Sequence, residues 1–258
     1  MKRFVFESEQ LFLTAVRLFL YSLKGGNSCV VCGEHTSCLP VCNRCEQRCF
    51  SFPAAWDRAR CGLCGKALVS AQGKCVRCRS GNVLAHVDRV FPLFSYRLWN
   101  KTLLFDWKIR GERCLSAFFA GKIAFFLRSM NLASVVVVPV PPRKGKIREK
   151  GWDQIDELAR FLRWRYGFRI LSVLRRVTRQ EQKKLDRDGR FSHIKNAYAL
   201  RPQRQLSRIL KPFGNVMPEE VCLVDDVSTT GSTLESCSAV LKSAGVRKVY
   251  AVTLFTVE

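Results

Sequence analysis

The chain has 258 residues, 47% of them apolar, enough to bury one α/β domain of ordinary size plus a small module; this excludes a disordered or low-complexity chain. Lysine and arginine total 44 against 21 acids, a formal charge of +23, so the eligible partners are polyanions: nucleic acid, phosphorylated sugars or acidic membrane surfaces. Met1-Lys2-Arg3 and the apolar stretch Leu11 to Leu20 outline a leader sequence. Glu7, Glu9 and Arg17 interrupt it, no small-x-small cleavage site comes after it, and the run is too short to cross a bilayer, so no leader and no transmembrane segment are expected.

Residues 10 to 24 have helical periodicity, with Thr14, Arg17, Tyr21 and Lys24 as a polar stripe and Phe12, Val16, Phe19 and Leu23 opposite; Gly25-Gly26-Asn27 ends the helix. Residues 1–28 are therefore expected to form an amphipathic helix and linker. Its apolar face packs on the adjoining cysteine-rich module or meets a membrane surface or partner.

Ten of the thirteen cysteines lie between Cys29 and Cys78, and eight of these form Cys-x-x-Cys pairs. Two residues of separation let both sulfurs of a knuckle face one ion. Cys29, Cys32, Cys42 and Cys45 make one four-sulfur frame, and Cys61, Cys64, Cys75 and Cys78 repeat it at similar spacing. Residues 29–82 are expected to be a double zinc ribbon holding two structural Zn²⁺, with Cys38, Cys49 and His35 as spare ligand candidates. A redox dithiol is the alternative. A closed four-sulfur site leaves no open position for catalysis, and the arrangement fits a reducing, cytoplasmic setting.

From residue 83 to 258 apolar strands and helices alternate: strands at 91–96, 135–140, 170–174, 221–224 and 248–255, helices at 113–130, 154–166 and 234–244. This order predicts a parallel doubly wound α/β sheet with ligands at the carboxyl ends of its strands. After the 135–140 strand comes a basic stretch with Arg143, Lys146 and Arg148, suited to phosphate oxygens or simply a solvated loop. Residues 175–201 are polar and charge-dense; Lys183, Lys184 and Arg190 there are candidates for a lid over substrate, and His193 is the one histidine nearby.

The strand at 221–224 ends in Asp225 and Asp226, then Ser228-Thr229-Thr230-Gly231-Ser232-Thr233 and a helix. Hydroxyls and free backbone N–H groups at a helix N-terminus form an anion cradle, in which Gly231 permits close backbone approach. The paired acids can accept hydrogen bonds from vicinal sugar hydroxyls or hold a metal-bound water. A plain helix cap with solvated charges is the alternative.

This stretch resembles the phosphoribosyl pyrophosphate (PRPP) motif of type I phosphoribosyltransferases. The resemblance implies that Asp225 and Asp226 bind the ribose hydroxyls and that Thr229, Thr230, Gly231, Ser232 and Thr233 hold the 5-phosphate. With the basic stretch added, the chain from 29 to 256 resembles the ComF family of competence proteins, which joins zinc-ribbon cysteines to a phosphoribosyltransferase domain. Lys150-Gly151-Trp152-Asp153-Gln154 stands where that family has Arg-Gly-Phe-Asn-Gln; Arg176, Gln182, Leu185, Arg190 and Ala197-Tyr198 match its later pattern, and His193 replaces an Asn. The family implies Mg²⁺ with PRPP, pyrophosphate gripped by Arg143, Lys146 and Arg148, and phosphoribosyl transfer through an oxocarbenium-like state with no enzyme nucleophile. It also implies a place in DNA uptake, cytoplasmic or membrane-associated through a DNA-import complex. Trp152, Trp164 and Tyr166 amid Arg148, Lys150, Arg160, Arg163 and Arg165 offer a second reading, a single-stranded nucleic-acid binding module that uses PRPP without turnover. A scaffold gripping DNA-import proteins is a third.

Overall fold

The computed structural model describes residues 12, 16, 27–36, 39–50, 60–68, 73–80, 84–96, 99–143, 145–177 and 197–257. The helix expected at 10–24 lies outside them except for Phe12 and Val16, both helical. Among the described residues no helix is long and apolar enough to cross a membrane.

Each four-cysteine frame begins as a tight knuckle and ends in a helix, α1 (Asn43–Phe50) in the first and α2 (Val76–Arg79) in the second. The backbone repeats almost bond for bond. The N–H of Cys29 donates to the Glu34 carbonyl at 2.7 Å and that of Cys61 to Lys66 at 2.8 Å; Gly33 and Gly65, both with positive φ, donate back to Cys29 and Cys61.

Beyond the modules lie four parallel strands, in the order β1 (Arg89–Ser95), β6 (Lys248–Thr256), β5 (Glu220–Ser228) and β2 (Val136–Pro139). Their β-branched and aromatic residues are buried on both faces, as a parallel sheet requires. Phe91, Val137, Cys222, Val224, Val252 and Leu254 point to one face, where α4 (Cys114–Ser129) and α6 (Gln154–Trp164) pack. Val90, Val136, Val138, Val221, Leu223 and Val249 point to the other, covered by α8 (Ser232–Ser243) and Leu206 of α7 (Gln203–Leu210). The cysteine modules divide between these faces: Cys29, Val41, Cys45 and Phe50 join the first apolar cluster, Leu63 and Cys64 pack on the second.

The parallel α/β reading stands, with local differences. The strand expected at 170–174 reaches the sheet only through one bridge from Ile170 to Val137; the chain then pairs antiparallel as β3 (Leu174–Arg176) with β4 (Tyr198–Leu200). Sequence reading gave no element between β1 and α4, where α3 (Trp99–Phe105) runs into a π-helical turn, Asp106–Arg110. The basic stretch contains a short helix, α5 (Lys146–Lys150), bounded by Gly145 and Gly151 at positive φ. The Asp153 carboxylate then caps α6, accepting from the N–H of Ile155 and of Asp156 at 2.9 and 3.0 Å.

Candidate functional site

The eight assigned cysteines assemble as two groups, and within each the four sulfurs all lie within 4.8 Å of one another. Cys32 Sγ and Cys42 Sγ are 3.7 Å apart, as are Cys64 Sγ and Cys75 Sγ. A tetrahedron with zinc–sulfur bonds of about 2.3 Å has an edge of about 3.8 Å, so both groups fit the metal. Backbone N–H groups point at the sulfurs, from Cys42 to Cys29 Sγ and from Cys75 to Cys61 Sγ, each at 3.3 Å. Burial opposes ionisation of Cys29 and Cys61, yet backbone N–H groups, those of Cys42, Cys32 and Val31 at the first and of Cys64, Cys75 and Leu63 at the second, outweigh it and lower the two thiols to about 7 and about 6. Burial and the neighbouring sulfurs push Cys45 and Cys78 up. Four thiolates thus coexist only around a cation. Cys49 and His35 stand outside both groups; Cys38 lies outside the described residues.

β5 continues past the expected apolar run to Ser228, so Asp225 and Asp226 lie within its carboxyl end, and the two-residue period of a strand sends their side chains to opposite faces. Both are buried. Asp226 faces α6 and the π turn: its Oδ2 accepts from Lys108 Nζ and from Gln154 Nε2, each at 2.7 Å. Asp225 faces α8 and accepts from the Asp226 N–H at 2.9 Å. Burial, and then the Asp226 charge beside it, raises the Asp225 carboxyl well above its ordinary value. Burial pulls the Lys108 ammonium down, but Asp226 more than offsets this and leaves it raised.

Lys108 was not singled out from the sequence. Its place is set by Trp107, fully buried against Phe119, whose indole N–H donates to Ser116 Oγ at 2.8 Å. The Ser116 hydroxyl donates in turn to Glu157, which also accepts from Arg113. With Trp107 anchored in the core, the next residue of the π turn is delivered to the acid pair, and Gly111 at φ 80° closes the turn. The readable signal was a lysine directly after a tryptophan in Trp-Lys-Ile-Arg-Gly, a short segment ending in glycine.

A cavity of about 460 Å³ joins Asp225, Asp226 and Thr233 to Lys108, Arg143 and Lys146. Lys146 Nζ donates to Asp153 Oδ2 at 2.6 Å and to Gln154 Oε1, so the basic stretch and the acid pair are linked through Gln154. Arg143 pairs with Glu149. Arg148 does not line this cavity: α5 turns it into a neighbouring one of about 750 Å³, with Arg143, Arg175, Arg176 and Arg201.

The loop at 229–233 caps α8, with Gly231 at φ 81°. A Cβ on Gly231 would lie 3.1 Å from Leu84, so the glycine admits Leu84 as well as the turn itself. Thr230 Oγ1 and Ser232 Oγ are 2.8 Å apart. Thr229, Thr230 and Gly231 do not line the 460 Å³ cavity; they meet the second cysteine module across a crevice of about 50 Å³. Tyr198, pushed up to about 12 chiefly by burial, sits beside Thr233.

The aromatic residues considered for base stacking are partly engaged elsewhere. Trp152 and Tyr166 pack on the first apolar cluster, with the Arg113 guanidinium 5.4 Å from Trp152 and that of Arg128 5.8 Å from Tyr166. Lys183, Lys184, Arg190, His193, Gln182 and Leu185 lie outside the described residues.

No family model matches the chain. It is 26% identical over 216 residues to Competence protein F of Haemophilus influenzae, covering 81% of this chain and 87% of that protein. It is 25% identical over 235 residues to Competence protein ComFC of Streptococcus pneumoniae, covering 86% and 96%. Together with the two four-cysteine groups and the parallel sheet, this similarity to two competence proteins supports the resemblance to the ComF family.

Proposed function

We propose that the chain binds PRPP with Mg²⁺ and transfers its phosphoribosyl group to an acceptor, releasing pyrophosphate, as a cytoplasmic component of DNA uptake. The uptake context rests on the names of its relatives, both competence proteins. The chemistry rests on one observation: a buried acid pair at the carboxyl end of a central parallel strand, in one cavity with Lys108, Arg143 and Lys146. Asp225 and Asp226 take the vicinal hydroxyls of the ribose. The loop Thr229 to Thr233 takes the 5-phosphate with hydroxyls and backbone N–H groups at the start of α8. Lys146 and Arg143 face the pyrophosphate, and Lys108 donates to Asp226 and aims its carboxylate. Bound Mg²⁺ would spread the negative charge of the departing pyrophosphate. The protein's part is then positioning and charge neutralisation, which needs no nucleophilic side chain. This reading divides the chain into 1–28, 29–82 and 83–258, with two structural Zn²⁺ in the middle segment.

Pyrophosphate release from PRPP, with and without Mg²⁺ and across acceptors that include single-stranded DNA, tests turnover. Release that the double variant Asp225→Asn/Asp226→Asn abolishes supports the assignment; release unchanged in that variant would refute it.

The arginine-lined cavity favours a second reading, a single-stranded nucleic-acid module for which PRPP is a regulator. Phosphate-driven binding weakens steeply with salt, so absence of a complex at low salt would sink this alternative. Recovery of import proteins after deletion of residues 1–80 tests the scaffold reading, which requires recovery to fall.

A further inference from the structure

The two cysteine modules carry an arginine at the same place, Cys42-Asn43-Arg44-Cys45 and Cys75-Val76-Arg77-Cys78. Arg44 turns back into its own module and pairs with Glu34 at 2.9 Å. Arg77 reaches out: its Nη2 donates to the backbone carbonyl of Thr230 at 3.1 Å, across 153 residues of chain. Around that contact the second module is locked to the sheet. Val90 N–H donates to the Leu63 carbonyl at 2.7 Å, Lys66 Nζ donates to the Val257 carbonyl at 2.6 Å, and a Cβ on Gly65 would collide with Pro92 and the Val90 carbonyl. Leu84 fills the space left by Gly231, and the segment carrying it is held by Glu235 of α8, which accepts from the N–H and Nδ1 of His86. The crevice that remains, about 50 Å³, is bounded by Cys64, Cys75 and Cys78 on one side and Ser228 to Gly231 on the other.

We infer that the second cysteine module is a wall of the anion-binding loop and that Arg77 is a positioning residue for it, whereas the first module has no such role. The Thr229–Thr233 loop must present its N–H groups in one arrangement to bind a phosphate. A guanidinium on the Thr230 carbonyl holds the intervening peptide in that arrangement before ligand arrives, and its charge favours the anion. Metal at the second site fixes the knuckle from which Arg77 projects.

The inference rests on the reading of 229–233 as the 5-phosphate loop, and the test separates the two. Ribose 5-phosphate and inorganic pyrophosphate are each titrated calorimetrically into the zinc-loaded full chain, its Arg77→Ala and Arg77→Lys variants and the internal control Arg44→Ala. Zinc content and amide hydrogen exchange at 228–233 are tracked in parallel. Arg77→Ala should weaken ribose 5-phosphate about tenfold, the loss of one charge-assisted contact, speed exchange in the loop, and leave pyrophosphate affinity and zinc content unchanged. Arg77→Lys should recover part of the affinity, and Arg44→Ala should change nothing. Wild-type protein that binds no ribose 5-phosphate overturns the loop reading and the inference with it. Wild-type binding that Arg77→Ala leaves intact, or weakens equally for pyrophosphate, overturns the inference alone.

Discussion

The two cysteine modules share spacing, knuckle hydrogen bonds and sulfur geometry, yet they are wired into opposite faces of one sheet. The first sends Phe50, fully buried, between Phe94 and Phe118 with edge contacts at 5.1 and 5.2 Å, and ties Glu46 to Lys122 of α4 at 2.8 Å. The second is bound to β1, to Val257 just after β6 and to the loop that opens α8. Duplicating a metal-binding motif therefore does not duplicate its role: the ligand set decides whether the module folds, and the residues between the ligands decide what it supports. The first module extends the hydrophobic core, and the second packs against the loop for which we propose phosphate binding.

The widest separation should come from removing one metal ligand in each. Cys29→Ser and Cys61→Ser should each reduce zinc from two ions per chain to one and cost several kcal/mol in urea unfolding, because metal binding is folding energy for so small a module. The surviving folded Cys29→Ser protein should still bind ribose 5-phosphate, and Cys61→Ser should not. Equal loss of ligand binding in both would erase the distinction.

Next in size is Phe50→Ala, which opens a cavity between the first module and the sheet. It should lower stability by about 3–5 kcal/mol with zinc content and ligand affinity intact, read by denaturant titration beside calorimetry. A ligand defect there would mean that the first module also reaches the site.

The smallest effect concerns the acid pair, and its sign reverses. Since the Asp225 carboxyl is raised, the folded chain holds more protons than the unfolded chain from about pH 4 up to that raised value. Stability from this group is therefore lost as pH rises through that window. Asp225→Asn should stabilise the ligand-free protein at neutral pH by on the order of 1 kcal/mol, with the gain vanishing below about pH 4, while ligand binding falls. Thermal melts at pH 3.5 and 7.5 check this, and a loss of stability at neutral pH would contradict it.

Legibility in the sequence tracks the reach of each signal. Cys-x-x-Cys spacing is local geometry, and both four-sulfur groups formed from the ligands assigned. The apolar run before Asp225 is a buried strand by composition, which fixes the acids at its carboxyl end. Contacts made across the fold left no such trace. Lys108 meets Asp226 from 118 residues away because Trp107 is anchored in the core, and no periodicity in Asp-Trp-Lys-Ile-Arg announces a π turn. Arg148 looked equivalent to Arg143 and Lys146 in a loop, but five residues of helix turned it into the adjacent cavity. Arg44 and Arg77 occupy the same place in the motif; Glu34, which pairs with Arg44, is replaced by Lys66 in the second module, but that Arg77 then reaches Thr230 follows only from the docking of the module.

The most direct test of the account is calorimetric titration of PRPP with Mg²⁺ into the zinc-loaded chain and into the Asp225→Asn/Asp226→Asn variant. The account predicts saturable binding by the first and none by the second, with both folded and carrying two zinc ions. Equal binding by both, or no binding by the intact protein, would contradict it.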